Sequence, residues 1–428
     1  MSAVCFEALP NGLRLAWLRA AADGVAVGLW WFCGTREEAD GRAGWTHLLE
    51  HCLLRPPAPD SPLAAAAELD GRSGYEHLRL QAWLPADRAA AGLSELVERF
   101  LNPPLDAAGL AAERRVIAAE AAAERADPDR AFERGLRRAL WGAHPLARPA
   151  YGRLRALAAA DEAALRAFHG ARLDPARLLL CAVGPLPEAA LRAAAAPLAA
   201  LPPAAPLLRA PPAPFPAGGR WRRSGPSARL AWLAPAPPPA DPAAAAWALA
   251  LALLDGPAGL LAVRLRAARL PVWALQLALE NHSDQALAWL QAAAPPGVLP
   301  ALERVLRETF ATLAERGPDV RALAAARARL QARLAWEAAD PWARAERLGL
   351  DVLCFGRPRE PTEWDAALAA VDPAAKRSRV RATSSSPMSA SAGRGSATRS
   401  SSRPSAARTG ASSISISLIP APFLIHGH

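Results

Sequence analysis

Two histidines four residues apart with a glutamate beside the second, His47-Leu48-Leu49-Glu50-His51, are the residues of this 428-residue chain best suited to chemistry. On a helix, positions i and i+4 lie one turn apart on one face, so both imidazoles can reach the same metal ion. Glu50 shares that face and can reach a water bound to the metal. Zinc brings such a water toward a neutral pKa and polarises a peptide carbonyl, while a nearby carboxylate takes the proton and hands it to the leaving amine. Those are the requirements for hydrolysing an amide without a covalent intermediate. With 8 histidines in 428 residues, chance placement of the three fixed residues is on the order of one in a hundred.

A catalytic zinc that keeps an open position needs a third protein ligand from another element. Glu120 lies 69 positions after His51, in the stretch ERRVIAAEAAAE, where Glu113, Glu120 and Glu124 fall at helical spacing. One of these glutamates can bind the metal while a neighbour hydrogen-bonds a ligand or the water. A solvated helix face would carry the same stripe. His77 and His144 are isolated in the sequence and read more simply as structural histidines.

The motif needs a helix, and the flanking sequence supplies one. Residues 24–33 (GVAVGLWWFC) are a run of β-branched, aromatic and small apolar residues ending at Gly34, which predicts a buried strand and a turn. A charged loop follows, and Thr46 is the expected N-cap of a helix through HLLEHCLLR that stops at Pro56 and Pro57. A second strand is expected over 77–84, then a helix through Leu93, Leu96, Val97 and Phe100. Asp106 should cap a long helix ended by Asp127-Pro128, with Leu110, Val116 and Ile117 on its apolar side. Residues 177–183 predict another buried strand. Strands mixed with longer helices give an α+β pattern.

Composition bounds the rest. The chain is long enough for two cores, and the prolines of residues 201–219 mark a stiff linker between them. The expected division is a catalytic domain over 1–200 and a second, inactive domain over 220–372, with strands at 228–234 and 273–280 and two helices over 299–336. Residues 373–428 turn abruptly to Ser and Arg, which predicts disorder and suggests an altered reading frame. The formal charge of +10 resides mostly there: eight basic residues from Lys376 to Arg408 and no acidic ones leave about +2 for the body. No nucleic-acid partner is expected on that ground. Residues 243–263 are interrupted by Asp255, Gly256 and Pro257 and read as a buried helix and turn, not a membrane span. Five dispersed cysteines without a CxxC pair, and a start without a secretory pattern, fit the reducing cytoplasm.

HLLEH, preceded by Gly44 and followed by Glu113 and Glu120 seven apart, resembles the inverzincins, the pitrilysin and mitochondrial-processing-peptidase family. NGLRL from Asn11, HPLARPAYG from His144 and GPAGLLAVRLRAARL with its Leu265-Arg266 pair agree, so the resemblance covers about residues 5–372. It implies Zn2+ on His47, His51 and Glu120, Glu50 as catalytic base and Glu113 as an auxiliary carboxylate. It also implies two similar lobes, each a mostly antiparallel sheet packed with helices, together forming half of a clamshell. A second metallopeptidase-like subunit, or a missing C-terminal half, would close the chamber on a peptide substrate. Two features depart from the family pattern. DGRSGYEHLRLQAWL lacks the Asn-Ala segment of the strand that aligns substrate, and LLRPPAPDSP replaces the Phe- and Gly-containing loop after the motif. The expected activity is a zinc endopeptidase; a non-catalytic partner subunit is the competing class, although such subunits typically lose ligands that this chain keeps.

Overall fold

The computed structural model describes residues 3–203, 219–223 and 228–371. Most of the stretch expected as a linker, and all of the tail expected to be disordered, lie outside the described residues. The first sheet contains β1 (Cys5–Ala8), β2 (Arg14–Leu18), β3 (Gly24–Trp31), β4 (Glu68–Ser73), β5 (Leu78–Pro85) and β6 (Leu178–Val183) in the order β1-β2-β6-β3-β5-β4. Its neighbours are antiparallel except for the parallel pair β2 and β6. Between β3 and β4 lies α1 (Trp45–Leu53). After β5 come α2 (Ala89–Leu101), α3 (Ala107–Ala126), α4 (Pro128–Trp141), α5 (Leu154–Ala158) and α6 (Glu162–Gly170), and α7 (Glu188–Ala199) follows β6.

The second sheet is fully antiparallel in the order β7-β8-β10-β9, from β7 (Gly219–Arg223), β8 (Ala228–Ala236), β9 (Ala274–Asn281) and β10 (Ala286–Ala294). Helices α8 (Ala244–Leu254) and α9 (Leu260–Ala267) separate β8 from β9; α10 (Leu299–Arg316), α11 (Val320–Ala339), α12 (Pro341–Phe355) and α13 (Pro361–Ala369) follow β10. The apolar run over 243–263 is thus two helices and a turn, and no helix among the described residues is long and apolar enough to cross a membrane.

Each sheet is covered on one face by helices of its own part of the chain and on the other by a helix from the opposite part. Val25, Val27, Leu29 and Trp31 of β3 pair with Leu84, Ala82, Leu80 and Leu78 of β5 and pack toward α1 and α2. The alternate residues Ala26 and Trp30, with Leu179, Cys181 and Val183 of β6, meet Ala345, Leu348 and Val352 of α12. Burial on both faces explains why β3 and β6 read as unbroken apolar runs rather than alternating ones. In return, Phe132, Leu136 and Leu140 of α4 pack on Ala231, Leu233 and Leu287 of the second sheet. Its opposite face carries Leu302, Leu306 and Phe310 of α10 against Leu230, Trp232 and Leu277.

The seating of α12 depends on one glycine. A methyl group at Gly349 would lie 1.9 Å from Cε2 of Trp30. Alanine ordinarily favours a helix, yet here it should overpack the contact and lower unfolding free energy by about 1–3 kcal/mol. Chemical denaturation would read this, and an unchanged midpoint would show that α12 does not pack on β3 as described.

Two local expectations need correction. Thr46 is not the N-cap of the motif helix: α1 begins at Trp45, with Gly44 at the cap in a left-handed conformation, φ 100°. Val116 is not on the buried side of α3, being 45% exposed, while Leu110 and Ile117 are buried. The expected cap at Asp106 is present, its carboxylate accepting the Gly109 N–H at 2.7 Å.

Candidate metal centre

Helix α1 is held at its start by a carboxylate distant in local geometry. Glu38, itself buried, accepts the Gly44 N–H at 2.6 Å on one oxygen and the Thr46 N–H at 2.7 Å on the other. These are two of the donors a helix start leaves unpaired, and a carboxylate there also meets the positive end of the helix dipole. Burial nevertheless dominates its ionisation and pushes the Glu38 carboxyl up to about 6. The end of the HPLARPAYG loop and the residue after it brace the same turn: Arg153 N–H donates to Ala43 O at 3.0 Å, and Gly152 approaches so closely that a Cβ would lie 2.1 Å from the Ala43 carbonyl. Leu48, Leu49, Cys52 and Leu53 then face the core. His47, Glu50 and His51 are left toward α3.

Between the two helices the ring nitrogens and carboxylates converge. His47 Nε2 lies 3.3 Å and His51 Nε2 3.6 Å from the same oxygen of Glu120, which is 49% exposed. His47, His51 and Glu120 form a group whose ligand atoms all lie within 4.8 Å of one another. The other nitrogen of each ring is engaged: His47 Nδ1 is 2.9 Å from Ser73 Oγ, and His51 Nδ1 is 3.2 Å from a Glu113 oxygen. Glu50 accepts the Ser73 N–H at 2.6 Å and lies 3.5 Å from His47 Nδ1. Burial alone would lower the His47 pKa, but the Glu50 and Glu120 carboxylates outweigh it and hold it above the ordinary value. Burial alone would raise Glu50; hydrogen bonding to His47 and Ser73 instead depresses it.

The remaining candidates sit elsewhere. Glu124 accepts from Arg134 at 3.0 Å and points away from the cluster. His77 packs on Trp30, ring centroids 4.9 Å apart, where burial pushes its pKa down to about 3. His144 accepts the Leu146 N–H at 3.2 Å at the start of a short 3-10 turn. Ser73 is the site residue that the sequence did not reveal. It ends β4, whose ELDGRS carries neither apolar alternation nor β-branched residues, and only its proximity in space to the motif identifies it.

The geometry acquires relatives. Residues 160–330 match the family described as Peptidase M16 inactive domain. Over 184 residues the chain is 29% identical to an uncharacterized zinc protease of Mycobacterium tuberculosis, a match covering 41% of this chain and 42% of that protein. The chain is thus similar to the M16 peptidases in sequence and in fold. Coenzyme PQQ synthesis protein F of Pseudomonas aeruginosa is 29% identical over 214 residues, which is 41% of this chain and 24% of that protein. The chain therefore matches less than half the length of either relative. Its fold is also that of a protease from Helicobacter pylori, with a TM-score of 0.76 at 14% identity over 89% of this chain and 97% of that one. His47, His51 and Glu120 all precede the stretch matched by the inactive-domain family.

Proposed function

We propose that this chain is an M16 peptidase, a zinc-dependent endopeptidase that holds its metal on His47, His51 and Glu120 and uses Glu50 as the proton carrier. The observation that supports this most is the convergence of two imidazole nitrogens and one carboxylate oxygen within 4.8 Å. The donor chemistry suits zinc: each histidine presents Nε2 while a hydrogen bond fixes Nδ1, and a three-residue set leaves a coordination position open. Zinc bound there would supply Lewis acidity toward a peptide carbonyl and acidify water.

The protein's own groups do the rest. Glu50, fixed by the Ser73 N–H, takes a proton from the attacking water and delivers it to the departing amine. Glu113 and Ser73 hold the two imidazoles in orientation. Beside them β4 is the edge of its sheet, pairing among the described residues with β5 alone, so its free backbone groups can align an extended peptide as an added strand. That edge takes the place of the absent Asn-Ala segment. We assign catalysis to residues 1–200 and a non-catalytic role to 220–372, with a second similar half completing the chamber. Similarity to coenzyme PQQ synthesis protein F favours the precursor peptide of pyrroloquinoline quinone as substrate, and five free thiols fit a cytoplasmic setting.

A second reading, a non-catalytic partner subunit, draws on the inactive-domain match over residues 160–330. Metal content separates the two. The purified chain should carry about one zinc, and its peptide cleavage, assayed alone and with a candidate second half, should vanish on chelation and return with added zinc. A protein that binds no metal under these conditions is the partner subunit.

A further inference from the structure

We propose that Arg72 determines specificity by selecting an acidic side chain in the peptide aligned along β4. This inference rests on the reading of that edge as the substrate-aligning strand. Successive side chains of a strand point to opposite faces. Ser73 reaches His47, and a Cβ at Gly71 would touch Leu54 and Glu50, so this set faces α1 and the metal centre. Arg72 takes the other face, where it lines two cavities of about 510 Å³ and 240 Å³ that also share Arg137, Leu279 and Glu280. A substrate residue directly across from Arg72 presents its side chain to that same face.

The charges around Arg72 are already matched to one another. Arg137 holds Glu280 through two hydrogen bonds of 2.8 and 2.5 Å, Arg229 pairs with Asp129, and Arg130 lies 3.3 Å from Glu133. Arg79, the cross-strand partner of Arg72, is satisfied by Asp70, by Gln81 at 3.0 Å and by Glu346 at 3.7 Å. Among the described residues the Arg72 side chain makes no hydrogen bond or ion pair, although it is half-buried and lines the larger cavity. A guanidinium so placed presents a planar fork to a carboxylate, which it can bind through two parallel hydrogen bonds. A lysine or arginine in the peptide would meet it as a like charge.

The test uses a series of neutral peptides in which one glutamate, or glutamine as control, is moved along the sequence. Binding to the Glu50→Gln protein, followed by fluorescence anisotropy, keeps turnover out of the measurement. At one position glutamate should bind about 10-fold or more tighter than glutamine. Arg72→Gln should erase that difference, and Arg72→Glu should transfer the preference to lysine at the same position, with near-UV circular dichroism reporting that both variants stay folded. Equal binding of the glutamate and glutamine peptides at every position, or a preference that survives in Arg72→Gln, overturns the inference. A charge preference that depends on Arg72 in a chain that cleaves no peptide would uphold it while removing the catalytic reading. Cleavage by the parent protein with no charge preference would do the reverse.

Discussion

Glu50→Gln should retain zinc and lose peptide cleavage by about 10²–10⁴-fold in kcat/KM, whereas His51→Ala should lose the metal itself. The two variants separate roles that the geometry keeps apart. Glutamine preserves the length of the side chain, and its carbonyl oxygen can still accept the Ser73 N–H that fixes Glu50 at 2.6 Å. It cannot take up a proton. Glu50 is also absent from the group of three residues whose atoms converge, so its charge should not be needed to hold an ion there. His51 belongs to that group, and removing it also strands the Glu113 carboxylate that lies 3.2 Å from its Nδ1. Metal analysis beside a fluorogenic peptide assay reads both effects. Zinc retained by His51→Ala, or full activity in Glu50→Gln, would contradict the assignment; loss of zinc from Glu50→Gln would make Glu50 a ligand.

The pairing of His47 with His51 was legible because helical spacing fixes it, and Glu120 because a carboxylate stripe at helical spacing can serve a site on a neighbouring helix. Spacing alone left open which glutamate of the stripe meets the histidines, and the family resemblance is what singled out Glu120. Glu113, Glu120 and Glu124 share one side of α3, and their separation into a group at the rings and a residue paired with Arg134 follows from how α3 and α4 pack. Ser73 was invisible for a related reason. It acts through position, with its hydroxyl on His47 and its N–H on Glu50, and the strand that carries it has no pattern of its own.

The fold shows the same division. β3, β5, β6, β8 and β9 announce themselves by apolar runs, as do the helices capped by Asp106 and broken at Asp127-Pro128. β10 carries no such signal, because ALAWLQAAA reads as well for an Ala-rich helix, and its strand state is imposed by pairing with β8 and β9 on both sides. The exchange of α4 and α12 between sheets is wholly tertiary. Nothing local in the sequence of α12 says that its Gly349 faces a tryptophan more than three hundred residues earlier.

Arg36→Met should lower unfolding free energy by about 3–5 kcal/mol, a large share of what a domain ordinarily has. Arg36 is 1% exposed and Glu76, which accepts from it at 2.8 Å, is 3% exposed. Methionine replaces the stem but takes the guanidinium away from the buried Glu76 carboxylate, which keeps the Ser283 N–H and hydroxyl at 2.7 and 3.0 Å. The other branch of the guanidinium grips Asp284 at 2.6 Å, in the turn between β9 and β10. One side chain thus ties that turn of the second sheet to the turn between β4 and β5 and to the segment that delivers Glu38 to the start of α1. Burial alone would raise the Asp284 carboxyl, but Arg36 outweighs it and holds it below the ordinary value. A depressed carboxyl contributes stability that is present above its unfolded pKa of about 4 and is lost as pH falls through the folded value. The gap between parent and variant, read by urea denaturation, should therefore be full at neutral pH and narrow in acid. Adding Glu76→Gln to Arg36→Met should recover part of the loss, because the stranded charge rather than the missing contact carries most of it. If the double variant is no more stable than the single one, the cost lies in packing around the Arg36 stem instead.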